Sequence, residues 1–380
     1  MSGIFKNVYA GKKVMVTGHT GFKGTWLSLW LRTLGAKVTG YALPPNTEPS
    51  IFKATGLGGR INSLLGDIRD SENLERVIQE TRPEIIFHLA AQPIVSLSYQ
   101  YPKVTYETNI MGTINLLEAV RKTDSIRVVV VITSDKCYDN REWVYGYREN
   151  DPLGGYDPYS SSKAGTELVV KTYQKCFFDW DRSDQKRAVL ASARVGNVIG
   201  GGDWAQDRIV PDAVRALAAG EPIVVRNPYA IRPWQHVLEP LSGYLWLGAL
   251  LWNEGQRYAS AWNFGPNDVY DLSVGSLADA IINNWGSGSW HTKRHNIESA
   301  RHEANYLKLD CSKARSLLGW EPVYRNHAAV TATVEWYKEF YAGNSDLHQL
   351  TLAQIKAYAE KARQLGLAWT GEDDGDAALS

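Results

Sequence analysis

Three consecutive side chains that can exchange protons lie in the stretch TSDKCYDN, residues 133–140. Ser134, Asp135 and Lys136 offer a hydroxyl, a carboxyl group and an amine where the apolar run before them predicts the end of a strand. The carboxyl end of a parallel strand borders the crevice in which open α/β sheets bind ligands. The pattern therefore predicts a proton-transfer site, and its alternative is a solvated polar loop.

A tyrosine and a lysine four residues apart, Tyr159 and Lys163, form a second candidate site. Asp157 and Pro158 before them are typical of a helix start, with Asp as the N-cap and Pro at the first helical position. On such a helix the two side chains share one face, although this spacing also occurs in surface pairs. A neighbouring ammonium and a positively charged nicotinamide would lower the pKa of Tyr159 from about 10 and make it a base.

Glycines at 18, 21 and 24 give the pattern GxxGxxG between a predicted strand and a predicted helix. Glycines at this spacing allow a tight turn and a close approach of the backbone to a pyrophosphate at the helix N-terminus, whereas an ordinary Gly-rich turn has no ligand. Further along, GDIRD supplies candidate adenine contacts, and LAAQP supplies residues small enough for the backbone to lie against the cofactor. The predicted cofactor-binding residues are Gly18, Thr20, Gly21, Phe22, Lys23, Gly24, Asp67, Ile68, Ala90, Ala91, Tyr159 and Lys163.

The second predicted strand lacks a residue that NAD-binding proteins of this kind use. An acidic side chain about 20 positions after the glycines usually binds the ribose 2′-hydroxyl of NAD. Here VTGYAL is followed by PPNTEP, with neither Asp nor Glu at the strand end and no Arg suited to a 2′-phosphate. We expect NAD rather than NADP.

Short apolar runs alternate with segments of helical period through the first half of the chain. The predicted strands span 12–18, 36–43, 84–91, 126–134 and 186–195, and the predicted helices 22–35, 71–82, 102–122 and 157–177. This alternation predicts an α/β fold of the Rossmann type, with a doubly wound parallel sheet.

The strand–helix alternation breaks after residue 198, which predicts a smaller C-terminal lobe. We expect an NAD-binding domain over 1–198, joined again by 234–265, and the second lobe over 199–345. Residues 346–380 form a C-terminal extension, whose small acidic end predicts disorder.

Composition excludes several other classes of protein. The chain has 41 basic and 41 acidic residues, so no net field favours nucleic acid or an anionic membrane. Its three cysteines show no CxxC or Cys/His spacing, which argues against a disulfide framework and against a metal site. No signal peptide and no membrane-spanning run is evident, so we expect a cytoplasmic protein.

Taken together, these motifs resemble the extended short-chain dehydrogenase/reductase family over residues 10–325. Within it the chain looks most like the nucleotide-sugar 4,6-dehydratases, and among these like the ones that act on CDP-glucose. The stretches that carry this resemblance are TGHTGFKG, TSDKCYDN, GGGDWAQDRIVPD and IRPWQHVLEPLSGYL.

The resemblance implies a reaction that needs the strand end at 134–136. In such dehydratases, Tyr159 would take the proton of the sugar 4-hydroxyl while the C4 hydride passes to NAD. The C5 proton and the 6-hydroxyl then leave as water, after which the hydride returns to C6 and a proton to C5. Ser134 would hydrogen-bond the 4-oxygen, and Asp135, with a pKa raised by burial, would be the acid for the 6-hydroxyl.

Lys136 departs from the family pattern, which has Glu as the base at this position. A lysine can remove a proton only when neutral, and lowering its pKa from about 10.4 to about 7 takes on the order of 4–5 kcal/mol. A buried site near a positive nicotinamide could supply this shift. We favour Lys136 as the base; in the rival interpretation it is a charged group that stabilises the enolate while another group takes the proton.

The resemblance also implies that the lobe over 199–345 binds the nucleotide sugar, and it implies how copies of the chain associate. Arginines suit a diphosphate because they bind it through two hydrogen bonds, although any single one could instead form a surface salt bridge. By family position, Arg208 and Arg232 are expected at the nucleotide diphosphate and Asn197 near the sugar diphosphate, and Arg301 is a third candidate arginine. Relatives are homodimers that pair through the Tyr/Lys helix, and a dimer of dimers is compatible with the sequence. The product would supply deoxysugars for bacterial surface polysaccharide such as lipopolysaccharide.

Three other functions remain open at this stage. An epimerase of the same fold would use the same Tyr/Lys pair and NAD but has no need of Asp135 and Lys136. A decarboxylase acting on a nucleotide-linked uronic acid should show a feature that holds the carboxylate. A regulatory protein that only binds the cofactor would have no use for Ser134, Tyr159 and Lys163 together.

Overall fold

A seven-stranded sheet runs through the centre of the protein, whose computed structural model describes residues 3–179, 188–266, 272–292, 307–343 and 346–371. Its strands lie in the spatial order β3–β2–β1–β4–β5–β6–β11, and every neighbouring pair is parallel. The strands are β1 Lys13–Thr17, β2 Lys37–Ala42, β3 Asn62–Leu65, β4 Ile85–His88, β5 Val128–Ile132, β6 Val189–Val195 and β11 Ala261–Phe264.

Helices cover both faces of this sheet. The larger apolar core lies on the side of α1 and α9, and the second core is formed against α3, α6 and α7. The helices are α1 Phe22–Thr33, α2 Ile51–Ala54, α3 Ser71–Thr81, α4 Val95–Gln100, α5 Pro102–Tyr106, α6 Gly112–Arg121, α7 Pro158–Cys176, α8 Ile209–Ala218, α9 Leu238–Glu254, α10 Val274–Trp285, α11 Ser312–Leu318, α12 Asn326–Ala342 and α13 Leu347–Gln364.

The doubly wound parallel sheet confirms the predicted fold class. Each of the five predicted strands and four predicted helices has a counterpart, but the helix predicted over 102–122 is interrupted by a π-helical segment at Glu107–Met111. Strands β3 and β11 were not among the predicted strands. The first is short and starts with two polar residues, and the second pairs with β6 over a long separation in the chain.

Within the described residues, the chain after β6 contains six short strands that form three pairs outside the central sheet. These strands are β7 Val198–Ile199, β8 Ile223–Val225, β9 Ile231–Arg232, β10 Gln235–His236, β12 Leu272–Ser273 and β13 Trp290–Thr292. They pair as β7 with β10, β8 with β13 and β9 with β12. The division of the chain at residue 198 stays a prediction; helix α9 packs against β5 and β11 joins the sheet. Residues 372–380, predicted to be disordered, lie outside the described part.

Three expectations from composition can be compared with the structure. The three cysteines, Cys137, Cys176 and Cys311, are free, so none forms a disulfide. Within the described residues, no helix is long and apolar enough to span a bilayer. In the same residues, no three His, Cys, Asp or Glu side chains are grouped so that they could hold a metal ion.

The buried carboxylate of Glu239 connects α9 to the C-terminal part of the chain through hydrogen bonds. Glu239 is almost inaccessible to solvent and accepts hydrogen bonds from the backbone N–H groups of Val323, at 2.9 Å, and Tyr324, at 2.6 Å. The Tyr358 hydroxyl of α13 donates a third bond, at 2.7 Å. Burial raises the pKa of Glu239 to about 7, although these hydrogen bonds act to lower it. Glu239 therefore links three segments that are distant in the chain.

We expect Glu239→Ala to lower the free energy of unfolding by about 3 kcal/mol, because it leaves two buried N–H groups without acceptors. The matched control is Tyr358→Phe, which removes one hydroxyl and should cost about 1 kcal/mol. Both values can be measured by urea unfolding. Equal losses in the two variants would contradict the role given to the carboxylate.

Candidate active site

The carboxyl ends of four neighbouring strands converge on one cleft. The glycine turn follows β1, and Ala90 and Ala91 follow β4. The segment Ser134–Lys136 follows β5, and Asn197 comes two residues after β6. Because all four strands are parallel, their ends lie on the same edge of the sheet.

The glycine turn is shaped by contacts that no side chain could tolerate. Gly18 has a φ of 76°, and a Cβ there would lie 2.8 Å from the backbone nitrogen of Ala90. A Cβ on Gly24 would lie 2.1 Å from the Gly18 carbonyl oxygen. Gly21 differs from these two glycines. Among the described residues, a Cβ added to Gly21 would contact only the Gly18 carbonyl oxygen, at 3.4 Å. Space beside Gly21 is therefore open to a ligand.

Helix α1 presents a free N-terminus to this space. It begins at Phe22, and its N-cap residue Gly21 has no side chain to accept the first N–H groups. These groups and the helix dipole favour an anion. The turn thus fits the pyrophosphate of a dinucleotide.

Lys23, in the first turn of α1, brings a positive charge to the centre of the cleft. Burial, together with the nearby cations Lys163 and Arg208, lowers its pKa to about 7. Asp135 and Asp203 act in the opposite direction. The Lys23 ammonium is therefore close to groups from α7, from the end of β5 and from the loop before α8.

The end of β2 lacks an acidic residue in the structure as well. The Thr20 hydroxyl donates to the Leu43 carbonyl oxygen at 2.8 Å, which joins the glycine turn to the residue after β2. Asp67 lies just beyond β3 and forms an ion pair of 2.5 Å with Arg69, while its neighbour Ile68 is buried. The predicted adenine contacts of Asp67 and Ile68 stay predictions.

The proton-exchange triplet is held in a short 3-10 turn, Asp135–Cys137. Ser134 is the N-cap residue, and its hydroxyl donates to Asp135 Oδ1 at 3.0 Å. The Lys136 backbone N–H donates to the same hydroxyl at 3.3 Å. Lys136 Nζ is 3.9 Å from Asp135 Oδ1, and its side chain is 34% exposed. The turn therefore directs a buried carboxyl group and a partly exposed amine toward one place.

Asp135 has one oxygen that the protein leaves unsatisfied. Its side chain is buried, and Oδ2 has no hydrogen-bond partner within the described part of the chain. A Cβ on Gly196, after β6, would come within 3.1 Å of this oxygen. An unpaired buried carboxyl oxygen is costly, and such atoms mark sites where a ligand supplies the partner.

Tyr159 and Lys163 lie on one face of α7, as the spacing predicts. Asp157 caps the helix by accepting the Ser160 N–H at 2.9 Å, and Pro158 is the first helical residue. Ile132 is the last residue of β5, and its carbonyl oxygen accepts a hydrogen bond from Lys163 Nζ at 3.5 Å. The helix thereby places both side chains beside the triplet.

Charges around the Tyr159 phenol differ from the sequence expectation. Burial raises its pKa to about 12, and the Ser134 hydroxyl and Arg208 act to lower it. Among the charged groups that act on Tyr159, Arg208 is the cation that favours the phenolate, a role that we expected for Lys163. Burial lowers the pKa of Lys163 to about 8, while Glu167 raises it.

The predicted diphosphate residues are distributed unevenly. Arg208 lies in the cleft, where Nη1 pairs with the buried Asp203 at 2.7 Å and the guanidinium interacts with Tyr159. The Asn197 carbonyl oxygen accepts a hydrogen bond from the Gln235 N–H, and Arg232 lies in β9, where its Nη1 donates to the Ile231 carbonyl oxygen. Arg301 lies outside the described residues. All of these diphosphate roles stay predictions.

Two acidic residues of this region were missed by the sequence analysis. Asp203 holds Arg208, and Glu167 lies four residues after Lys163. Glu167 could have been found from its helical spacing, because residues four apart share a face. Asp203 carries no such signal, since its partner lies across an irregular loop.

A family model described as GDP-mannose 4,6 dehydratase matches residues 15–333. The chain belongs to this family. Its relatives include dehydratases of more than one nucleotide sugar. CDP-glucose 4,6-dehydratase of Salmonella typhimurium is 52% identical over 345 residues, which cover 90% of this chain and 95% of that protein. dTDP-glucose 4,6-dehydratase of Xanthomonas campestris pv. campestris is 26% identical, covering 85% and 92%.

Solved structures of other proteins have the same fold as this chain. The dTDP-glucose 4,6-dehydratase of Bacillus anthracis, in complex with NAD, has a TM-score of 0.69 at 23% identity, covering 87% of this chain and 97% of that one. The UDP-glucose 4-epimerase of Thermotoga maritima, with UDP-glucose, has a TM-score of 0.72 at 22% identity, covering 86% and 99%. At these identities the likeness shows the fold alone, which dehydratases and epimerases share.

We expect Gly24→Ala and Gly21→Ala to fail in different ways. The Cβ at 24 would overlap a backbone oxygen, so Gly24→Ala should lower the free energy of unfolding by about 1–3 kcal/mol. The Cβ at 21 meets no such obstacle, so Gly21→Ala should fold normally and bind NAD more weakly. Thermal unfolding without cofactor and NAD titration separate the two effects. Unchanged NAD binding by Gly21→Ala would contradict the placement of the pyrophosphate.

Proposed function

We propose that the protein is an NAD-dependent hydro-lyase that converts CDP-glucose to CDP-4-keto-6-deoxyglucose and water. The observation that carries this proposal is the buried Asp135, with one oxygen unpaired, next to Tyr159 and Lys136. Removing water from a sugar needs an acid and a base beyond the pair that supports hydride transfer. The 52% identity to a CDP-glucose 4,6-dehydratase supports the choice of substrate.

Tyr159 and Ser134 would carry the oxidation at C4. When bound, NAD accepts the hydride of C4 and returns it to C6. Tyr159 takes the proton of the 4-hydroxyl, and Ser134, whose hydroxyl acts on the same phenol, hydrogen-bonds the 4-oxygen. The phenol pKa of about 12 favours the protonated form, so Arg208 and the positive charge of the cofactor must favour the phenolate.

Asp135 and Lys136 would carry the elimination. Asp135 Oδ2 points to no protein partner within the described residues and is free to protonate the departing 6-hydroxyl. Lys136 is less than 4 Å from the same carboxylate and would remove the C5 proton in its neutral form. The two groups are adjacent, as C5 and C6 are in the substrate.

A diphosphate would be bound by the predicted residues Asn197, Arg208, Arg232 and Arg301. Support comes from Arg208, which reaches the cleft between Lys23 and Tyr159. The preference for CDP rests on similarity to the Salmonella relative.

A homodimer would pair through the surface of α4, α5 and α7. Apolar side chains are exposed on these helices and the π-helical segment; they are Leu97, Tyr99, Tyr101, Val104, Tyr106, Met111 and Leu168. Exposed apolar groups of this extent mark interaction surfaces. Light scattering that finds a monomer at micromolar concentration would contradict the pairing.

Free cysteines suit the cytoplasm, where the product would supply deoxysugars for surface polysaccharide.

The direct test is mass spectrometry of reactions in heavy water with CDP-, dTDP-, UDP- and GDP-glucose. We expect CDP-glucose alone to lose one water and to gain one deuterium at C5. An isomer of unchanged composition without deuterium would indicate an epimerase of the same fold and would contradict the roles of Asp135 and Lys136.

Two substitutions of Lys136 distinguish its possible roles. If the amine is the base, Lys136→Met and Lys136→Arg should both slow the loss of water by about 10²–10⁴-fold, because neither can accept the C5 proton. Reduced cofactor should then accumulate during turnover. Activity retained by Lys136→Arg but not by Lys136→Met would show that the positive charge is what matters.

A further inference from the structure

A buried ion pair lies directly beneath the candidate active site. Glu167, on α7, is inaccessible to solvent, and its Oε2 pairs with Arg194 Nη2 of β6 at 2.8 Å. The Ser192 hydroxyl donates to Oε2 at 2.8 Å, and the Thr133 hydroxyl donates to Oε1 at 2.5 Å. The carboxylate therefore joins α7 to β6 and to the residue that immediately precedes Ser134.

Arg194 extends the connection to the far edge of the sheet. Its Nη1 donates to the Tyr138 hydroxyl at 2.8 Å and to the Glu149 carbonyl oxygen at 3.0 Å. The Tyr138 hydroxyl in turn donates to Asn263 Oδ1 of β11 at 2.7 Å. The hydrogen bonds thus include the residues on both sides of the triplet, Thr133 and Tyr138.

Stability alone does not explain such a pair. Taking two charges out of water costs several kcal/mol each, and replacing a buried pair by apolar residues is often neutral or stabilising. Glu167 and Arg194 carry no role in the reaction proposed above. The position of Glu167, one helical turn after Lys163 and bonded to the residue before Ser134, points to the active site.

We propose that Glu167 is a positioning residue that holds the Tyr159–Lys163 helix against the end of β5 and maintains the positive charge of Lys163. This inference rests on the proposed function, because it assumes that Lys163 acts as a cation in hydride transfer. Lys163 donates to the carbonyl of Ile132, the last residue of β5, so helix and strand end are joined on both sides of the lysine.

Charge is the second part of the role. Burial lowers the pKa of Lys163 to about 8, and Glu167 is the strongest group that raises it, followed by the Cys137 thiol. From α1, Lys23 faces it as a like charge. From β4, His88 faces it but is neutral, because burial lowers its pKa to about 3. Without the Glu167 charge, the pKa of Lys163 would fall further, so the lysine would lose its proton at a lower pH than in the wild type.

The test compares pH profiles of kcat/KM for loss of water from CDP-glucose. Activity that needs charged Lys163 falls as the pH rises through the Lys163 pKa. In Glu167→Gln this alkaline fall should move to lower pH by about one unit or more. Glu167→Asp keeps the charge and should restore the wild-type position. Arg194→Lys disturbs the same ion pair but leaves the Glu167 charge, so its alkaline fall should not move to lower pH.

A purely structural role predicts a different result. Glu167→Gln and Arg194→Lys would then both lower activity with the pH profile of the wild type, which would overturn the proposal. Should Glu167→Gln fail to fold because Arg194 is left unpaired, the double variant Glu167→Gln/Arg194→Gln removes both charges. Its alkaline fall should also lie below that of the wild type, and coincidence of the two would overturn the proposal.

The wild-type enzyme separates this inference from the proposed function. If the wild type removes no water from CDP-glucose, the proposed function fails. If the wild type is active and the profile of Glu167→Gln coincides with it, only the positioning role fails.

Discussion

The close approach of backbone segments at the carboxyl edge of the sheet is the constraint on which the site depends. Gly18, after β1, lies against the backbone of Ala90, after β4, and Gly24 lies against the Gly18 carbonyl. These contacts bring the N-terminus of α1 to the centre of the edge, beside the ends of β4 and β5. Lys23, Lys163 and Asp135 can then interact although they come from three separate parts of the chain.

Charge in the cleft follows from that convergence. Lys23, Lys163 and Arg208 are near one another in a chain whose formal net charge is zero, and the pKa values of both lysines are lowered. Asp203 and Glu167 balance two of these cations from outside the proposed reaction centre. A diphosphate substrate and a dinucleotide bring negative charge, so their binding would relieve the repulsion among the cations. Arg208, one of these cations, favours a phenolate at Tyr159.

Local patterns predicted much of this site, and long-range contacts account for the rest. The glycine turn, the start of α7 at Asp157 and Pro158, and the triplet at the end of β5 each depend on neighbours in sequence. Strand β11 and the bonds of Glu167 with Arg194 depend on segments far apart in the chain, for which one sequence gives no spacing. The position of Arg208 beside Tyr159 has the same origin, because Arg208 reaches the phenol from an irregular loop.

The most direct test of the central claim is the fate of a deuterium placed at C4 of CDP-glucose. If Tyr159 and Ser134 support oxidation at C4 while Asp135 and Lys136 eliminate water across C5 and C6, the deuterium must appear at C6 of the product. Recovery of the deuterium at C4, in a sugar that has kept its 6-hydroxyl, would contradict the account, because Asp135 and Lys136 would then have no part in the reaction.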